Sequence, residues 1–480
     1  MELSSLLTST LTIIPELVLV VTALVIILIG TIKNESISSY NFFISILCIC
    51  LVFVLNLGRF SDPAAAFSGA LSLDVFSAYF NSIFLIGAFF TVLISREYLE
   101  DNENISEYLA LILLSTSGMM IIASAKEFMS LFIGFEIMSI AVYVLSGFNK
   151  RSIKSTESGI KYLVLGGFSS AILLFGIALL YGATGSIYFA NIVSAFDYTS
   201  VLYVTGAVMV LTGFLFKIGA APLHQWVPDI YEGAPTPVTA FMSVAVKAAG
   251  FAILLRFLFE GVNVSHHGIS TALLIVSVLT MTIGNISAIT QRSIKRMLAY
   301  SSVAHAGYAL IGIIAQLNGE TNALSGVLYY LYAYTLMNMG AFAILCYLSR
   351  ENSSFNDYEQ ISGLWERKPY TAICLAIFMF SLAGIPPTIG FFAKYRIFLS
   401  AVEAQLYLLA VIGIINSVIS AYYYLKVLVY AFMHKEQQTF EPYKPLSVMS
   451  IVILSIGTLL FGLFPVYSIQ LAIKAAGTFG

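Results

Sequence analysis

The chain of 480 residues is 59% hydrophobic and only 10% charged, whereas a soluble domain carries about 25% charged residues. This composition excludes a soluble protein, and the formal net charge of -2 gives no indication of nucleic acid or of an acidic partner. Apolar runs of about 20 residues recur from end to end, as expected for a polytopic membrane protein.

These runs predict an all-α fold of about fourteen transmembrane helices, with no room for a soluble domain. The first run has no basic segment before it and no small-residue cleavage site, so we expect it to be a spanning helix. The predicted spans are 12–31, 40–58, 75–95, 107–123, 128–147, 158–181, 201–221, 237–260, 269–290, 296–314, 322–348, 370–400, 406–431 and 447–470.

The lysines and arginines of the loops fall mostly after odd-numbered spans. Only Arg59, Lys126 and Lys474 lie in the even-numbered loops or in the termini. The positive-inside rule then predicts that the basic loops are cytoplasmic and that both termini lie on the outer side. The alternation also supports the number of spans, because one missed helix would reverse every loop after it.

Several charged side chains lie inside apolar spans, where an ammonium costs roughly 3 kcal/mol or more at the bilayer centre. Lys217, Lys247 and Lys394 are too deep to be explained as interfacial residues, and Glu136 is the deepest acid, within LFIGFEIMSIAVYVL. Such residues usually mark ion or proton pathways. Three further cations lie close enough to a helix end to reach the interface by their long side chains: Arg256, Lys161 and Lys426.

Two spans are interrupted at proline, the seventh at Pro222 and the twelfth at Gly384-Ile385-Pro386-Pro387. Lys217 precedes the first break and Lys394 follows the second. Interrupted helices in matching places of two halves are typical of transporters built from repeats. Spans 4–8 and 9–13 each contain five helices with the break in the fourth. Because five is odd, the second unit would begin from the opposite face, which predicts two inverted repeats.

This pattern divides the chain into four parts. We expect a three-helix N-terminal segment over 1–106, a first repeat over 107–260, a second over 261–433 and a C-terminal helix within 434–480.

At these motifs the chain resembles the antiporter-like subunits of respiratory complex I, and most closely their N-type member. The segment FKIGAAPLHQWVPDIYEGAPTPVTAFMSVAVKAAG carries the resemblance, with FIGFEIMSIAVYVLSGF, SIKRMLAYSSVAHAGY and LAGIPPTIGFFAKYRIF in the same order. The motifs cover about 110–430, and the number of spans agrees over the whole chain.

The resemblance implies that Glu136 pairs with Lys217, that Lys247 is the central buried lysine and that Lys394 is the distal one. The related M-type subunit carries a glutamate where this chain has Lys394, which favours the N type. Burial makes an amine easier to deprotonate and a nearby carboxylate has the opposite effect. A row of buried lysines can therefore pass protons, with hydroxyls such as Ser243 or water between them.

Three further residues have two interpretations each. His305 falls where the family places a polar link between the halves, and it is equally well a hydrogen-bonded core histidine. His224 and Asp229 lie in the piece after the first break. They line a water-filled entrance, or they satisfy backbone groups freed by the break.

We expect no cofactor and no metal in this chain. Its four cysteines, Cys48, Cys50, Cys346 and Cys374, lie in apolar runs without histidine partners and are expected to be buried. His266-His267 has no other ligand nearby in the sequence. The resemblance implies that NADH, FMN, iron–sulfur clusters and quinone belong to other subunits.

The sequence therefore predicts a proton-translocating subunit of the membrane arm of NADH:quinone oxidoreductase in the bacterial inner membrane. The implied partners are M-type and small K-, J- and A-type subunits and the lipid bilayer. One alternative is a subunit of a multi-subunit cation/proton antiporter, whose D-type chain has similar motifs. A second is a structural scaffold with vestigial lysines.

Overall fold

The computed structural model describes residues 2–32, 35–99, 104–197, 199–262, 267–349, 357–435 and 444–479. These residues are mostly helical, as the apolar runs predict. The first half contains α1 (Glu2–Thr12), α2 (Ile14–Gly30), α3 (Glu35–Gly58), α4 (Val75–Tyr98), α5 (Ile105–Ser124), α6 (Phe128–Ser146), α7 (Ile153–Thr184), α8 (Phe189–Ser194), α9 (Val201–Ile218), α10 (Trp226–Gly233), α11 (Thr236–Phe241) and α12 (Lys247–Arg256). The second half contains α13 (His267–Ile289), α14 (Ile294–Leu317), α15 (Ala323–Leu348), α16 (Leu364–Arg367), α17 (Pro369–Ala383), α18 (Ile389–Glu403), α19 (Tyr407–Met433), α20 (Pro445–Leu463) and α21 (Val466–Ala476).

Twelve helical segments of the described residues are long and apolar enough to cross a membrane. The predicted first and twelfth spans coincide with shorter apolar helices, α2 and α17. A polytopic helical fold is thus confirmed, and the exact number of fourteen spans stays a prediction. One loop also departs from an all-α description: β1 (Ala64–Ala66) pairs antiparallel with β2 (Leu71–Leu73) between α3 and α4.

Span 8 is not one regular α-helix. A π-helical turn at Met242–Val246 separates α11 from α12, and a second one at Phe257–Gly261 follows α12. The candidate membrane span Thr236–Gly261, which comprises all four pieces, is buried except for the half-buried Phe259 and Glu260, and α14 and α15 are nearly as buried. These three spans form the centre of the molecule. In α3, α7, α13 and α19, by contrast, less than half of the residues in the most apolar stretch are buried.

Both predicted breaks are present and have the same backbone geometry. At the first, Gly219 has φ 73° and the Ala220 N–H donates to Leu215 O at 2.9 Å. At the second, Gly384 has φ 88° and the Ile385 N–H donates to Phe380 O at 2.9 Å. A left-handed glycine followed by this longer hydrogen bond ends an α-helix while satisfying its last carbonyls. At each break the α-helix therefore ends with its last carbonyls hydrogen-bonded, rather than continuing through a kink.

The helix pairs at corresponding positions of the two units pack together. In the first unit α5 packs on α6 and α7 on α9; in the second α13 packs on α14 and α15 on α18. This agrees with a repeated architecture, and the inverted relation between the units stays a prediction.

Arg256 was expected to extend to the membrane interface, and this expectation is wrong. Its side chain is 0% exposed and donates to both carboxylate oxygens of Asp74 at 2.7 Å, and to Glu260 at 3.0 Å. Lys126 pairs with Glu260 in the same cluster. Carboxylates at the N-terminal end of α4 and in the second π turn compensate the guanidinium inside the protein, so it has no need to reach water.

Candidate functional site

Lys217 lies in the last turn of α9, and its ammonium is enclosed by α6 and α7. Nζ donates to the Ser139 hydroxyl at 2.7 Å and lies over the rings of Phe135, Tyr143 and Tyr162, 4.8 to 5.7 Å from their centroids. The residue is only 2% exposed. Electron-rich ring faces and one hydroxyl can stabilise a cation in a buried site.

Glu136 lies one helical turn before Ser139 on α6, but it makes no ion pair with Lys217 within 4.0 Å among the described residues. The two groups interact electrostatically, and the buried Glu136 Oε1 has no hydrogen-bond partner. The pair implied by the family resemblance is therefore separated in this structure, and a serine occupies the position of direct partner.

Lys247 is the first residue of α12, directly after the π turn at Met242–Val246. It is 3% exposed, and Nζ donates to Ser302 O at 2.7 Å and also to the Ser302 hydroxyl. Ser302 belongs to α14. The central lysine is therefore held by one serine of α14, and no carboxylate of the described residues pairs with it.

Lys394 lies on α18 after the second break and reaches back to the helix before it. Nζ donates to Ala383 O at 3.0 Å and to the Ser417 hydroxyl at 3.0 Å, and it lies 5.2 Å from the centroid of the Tyr308 ring. It is 4% exposed. The carbonyl end of α17 carries partial negative charge, which favours a cation at this point.

His305 lies between two tyrosine hydroxyls. Nδ1 is 2.6 Å from the Tyr330 hydroxyl and Nε2 is 3.1 Å from the Tyr424 hydroxyl. The Tyr334 ring lies 4.8 Å from the histidine ring, and its own buried hydroxyl has no hydrogen-bond partner. His305 interacts electrostatically with both Lys247 and Lys394, so it is near both lysines and is also a hydrogen-bonded core histidine.

One helix, α14, connects these groups. It supplies Ser302 to Lys247, carries His305 one turn later, and places Tyr308 under Lys394 after one further turn. Residues three or four apart share a face of a helix. The polar side of α14 thus leads from the central lysine to the distal one.

The three lysines share a feature that the sequence analysis missed. Each donates to one serine hydroxyl on another helix: Lys217 to Ser139, Lys247 to Ser302 and Lys394 to Ser417. No carboxylate forms an ion pair with any of them in the described part of the chain. A hydroxyl can accept from an ammonium and can donate to a neutral amine. Each lysine can therefore keep its partner in both protonation states.

Asp229 lies apart from these lysines. It forms ion pairs with Lys161 at 3.0 Å and Arg296 at 2.9 Å at the edge of a polar pocket of about 120 Å³. His224 interacts with the backbone of Pro222, and its buried Nδ1 has no hydrogen-bond partner. Two other backbone groups at this break are bonded by Thr280, which accepts from the Ala221 N–H, and by Trp226, which donates to Phe216 O.

Ser243 and three further hydroxyls of the membrane helices, those of Tyr308, Thr335 and Tyr395, could also bridge between the lysines, and they divide into two groups. Ser243 accepts from Asn338 at 2.8 Å, one turn before Lys247, and Tyr308 accepts from Asn285 at 2.9 Å. Thr335 donates to a carbonyl of its own helix, and Tyr395 is 52% exposed on the outer surface of α18. Only the first two lie next to the buried lysines.

No group of three or more His, Cys, Asp and Glu side chains is arranged to hold a metal ion in the part of the chain that is described. The side chains of His266 and His267 lie outside that part. The expectation of four buried cysteines is wrong for two of them, since Cys50 is exposed on α3 and Cys374 is half-buried. Their helices turn these faces outward from the bundle.

Residues 125–420 match the family model described as NADH:quinone oxidoreductase/Mrp antiporter, TM. NADH-quinone oxidoreductase subunit N of Trichlorobacter lovleyi is 41% identical over 470 residues, which are 96% of both chains. A chain of respiratory complex I from Thermus thermophilus is 31% identical with a TM-score of 0.83, covering 95% of this chain and 99% of that one. A chain of the Mrp complex from Dietzia sp. shares the fold, with a TM-score of 0.83 at 20% identity over 98% of both. Together with the broken helices and the buried lysines, these similarities show that the chain belongs to the family of NADH-quinone oxidoreductase subunit N.

Proposed function

We propose that this chain is a proton-translocating subunit of the membrane arm of NADH-quinone oxidoreductase. Protons pass along Lys217, Lys247, His305 and Lys394, parallel to the membrane plane. The energy comes from electron transfer between NADH, FMN, iron–sulfur clusters and quinone in other subunits. In this arrangement the basic loops face the cytoplasm of a bacterial cell, both termini lie on the outer side, and M-type and small K-, J- and A-type subunits are neighbours.

The observation that carries the proposal is the serine partner of each buried lysine. An ammonium fixed by a carboxylate is difficult to deprotonate, because the ion pair stabilises the charged form. With a neutral hydroxyl as partner, the proton affinity of the amine depends on groups farther away. Glu136 is such a group for Lys217, since it acts electrostatically without direct contact. A movement of Glu136 would thus change the proton affinity of Lys217 while its hydrogen bond to Ser139 persists.

Unpaired polar atoms mark the places where water completes the path. Buried atoms without a hydrogen-bond partner include Glu136 Oε1 and the Tyr162 hydroxyl beside Lys217, and Asn338 Oδ1 and the Tyr334 hydroxyl near Lys247 and His305. Buried polar groups are normally satisfied by protein or by ordered water. Water held by these groups would pass protons between lysines that are too far apart for direct contact.

The antiporter alternative is less well supported. The likeness to the Mrp chain is at 20% identity and concerns the fold alone, whereas subunit N relatives are about twice as similar over nearly the whole chain. We therefore favour the redox-driven role.

The test is proton uptake by inverted membrane vesicles during NADH oxidation, with Lys247→Met compared with the parent. We expect the assembled variant to lose most of its proton uptake per NADH oxidised. Normal uptake by Lys247→Met would refute a relay through the central lysine. Loss of assembly without loss of uptake per assembled complex would instead support the scaffold alternative.

A further inference from the structure

A fourth lysine, Lys295, is buried as deeply as the three lysines of the proposed relay. The predicted spans 269–290 and 296–314 leave this lysine in a basic loop, but it lies in the first turn of α14 and is only 3% exposed. Nζ donates to Ala234 O, at the end of α10. It forms no ion pair within 4.0 Å in the described residues. Nothing in the proposed relay accounts for an ammonium at this place.

On one side, Lys295 adjoins the polar pocket at the face that carries the basic loops. Glu232, which interacts electrostatically with Lys295, lines this pocket and accepts from Lys154 at 3.1 Å and Arg296 at 2.8 Å. Arg296 is the next residue on α14. The buried ammonium is therefore within electrostatic reach of a charged, partly exposed cluster of side chains.

On the other side, the same helix face leads to the central lysine. Ser302, the partner of Lys247, lies seven residues after Lys295, which is two turns or about 10 Å deeper along α14. Two buried tyrosines, Tyr231 and Tyr334, direct their hydroxyls to Ser302. Among the described residues the Tyr334 hydroxyl makes no hydrogen bond within 3.5 Å, so water can bond to it on this route.

We propose that Lys295 is the uptake-side proton carrier of this subunit, which takes protons from the Glu232 pocket and delivers them through the Ser302 region to Lys247. In this step the Lys295 ammonium releases one proton, which passes through hydrogen-bonded water beside Ser302 to the neutral amine of Lys247 and makes it an ammonium, and a proton from the pocket restores the Lys295 ammonium. Charge and atoms balance with no further reactant. This inference rests on the proposed function, since it supplies the relay with protons from one face.

The competing explanation is that Lys295 only caps Ala234 O, a carbonyl left free where α10 ends. The two explanations differ for arginine, which can also donate to that carbonyl but stays charged at any working pH. A cap is preserved by Lys295→Arg, whereas a proton carrier is not. Lys444 provides a matched control, because it is 7% exposed and also donates to a backbone carbonyl, Ser349 O at 2.8 Å.

The experiment uses assembled NADH-quinone oxidoreductase in inverted vesicles and measures proton uptake per NADH oxidised, with rates in H₂O and D₂O. For Lys295→Arg we expect uptake to fall about tenfold or more, as for the loss of a positioned proton-transfer group. Lys295→His, which remains titratable near neutral pH, should recover part of the uptake and show a larger solvent isotope effect than the parent. Lys444→Arg should behave as the parent.

Parent-like uptake and isotope effect in Lys295→Arg would overturn the inference and leave the cap as the explanation. An equal loss in Lys295→Arg and Lys444→Arg would also overturn it, because the effect would then be structural. Lys247→Met is measured in the same series. If it pumps normally, the proposed function itself fails; if it does not pump while Lys295→Arg does, only the uptake role fails.

Discussion

The ammonium of Lys394 donates a hydrogen bond to the carbonyl oxygen of Ala383, the last residue of α17, across the break in this span. The lysine belongs to α18, so one half of the interrupted span positions its cation at the carbonyl end of the other half. The left-handed Gly384 lies between them. The interruption of the helix therefore also positions the ammonium of Lys394.

Lys394→Met should reduce proton uptake per NADH oxidised, because methionine retains the apolar stem and removes the titratable group. Lys394→Glu should retain more uptake than Lys394→Met, since a carboxylate can also carry a proton. Proton uptake into inverted vesicles, normalised to NADH oxidation, measures both. Parent-like uptake by the methionine variant would mean that protons leave by another route.

Gly384→Ala should disturb Lys394 without removing it. A side chain at φ 88° costs about 1–2 kcal/mol, and the added Cβ would lie 2.9 Å from Lys394 Cδ. We expect reduced proton uptake and a lower melting temperature in detergent. Gly182→Ala is the control, because nothing lies within 4 Å of its added Cβ. Equal uptake in the two alanine variants would contradict the prediction.

Lys217→Arg should assemble and pump poorly, since arginine keeps the charge but does not release a proton. Ser139→Ala should have a smaller effect in the same direction, because it removes the hydroxyl partner of Lys217 and leaves the amine. Ser146→Ala on the same helix, where the hydroxyl donates only to Tyr143 O, serves as control. Full pumping by Lys217→Arg would show that positive charge suffices at this position.

Because of the Asp74–Arg256 ion pair, we expect the free energy of unfolding to decrease at acid pH. Burial alone would raise the pKa of Asp74, but the Arg256 guanidinium outweighs it and lowers the pKa below its usual value. The stabilisation is therefore complete above about pH 4, the unfolded value, and is lost as the pH falls through the folded value. Arg256→Met removes the nearer partner of the buried carboxylate, leaves it only Lys126 at 4.0 Å as a cationic partner among the described residues, and should cost up to about 3–5 kcal/mol.

Melting temperatures in detergent between pH 3 and 7 test this prediction. The parent should lose stability at the acid end, and Asp74→Asn should be less stable at neutral pH with a flatter profile. A parent profile as flat as that of Asp74→Asn would show that the ion pair does not set the acid limit.

The orientation is tested by reporter fusions. A reporter that is active only outside the cytoplasm should work after Gly480 and fail when inserted at 150–152. The reverse pattern would overturn both the positive-inside argument and the number of spans.

The positions of the spans and both breaks followed from sequence because apolar length and Gly-Pro chemistry are local properties. The partners of the lysines did not. A serine in an apolar helix usually bonds to its own preceding turn, and nothing near Ser139 in the sequence indicates Lys217 as its partner. Lys295 was assigned to a loop because it lies at a helix end. Its burial depends on α10, some 60 residues earlier in the chain, which periodicity cannot reveal.

The two π turns around α12 have a mechanical consequence. Lys247 and Arg256 are the first and last residues of this ten-residue segment, and the turns on both sides depart from α-helical pitch. The segment is thus a short α-helix, about 14 Å between these two residues, set between two π-helical turns. A rotation of this helix about its axis that turned the lysine away from Ser302 would also move the guanidinium away from Asp74. The ion pair at one end therefore restricts the orientation of the lysine side chain at the other.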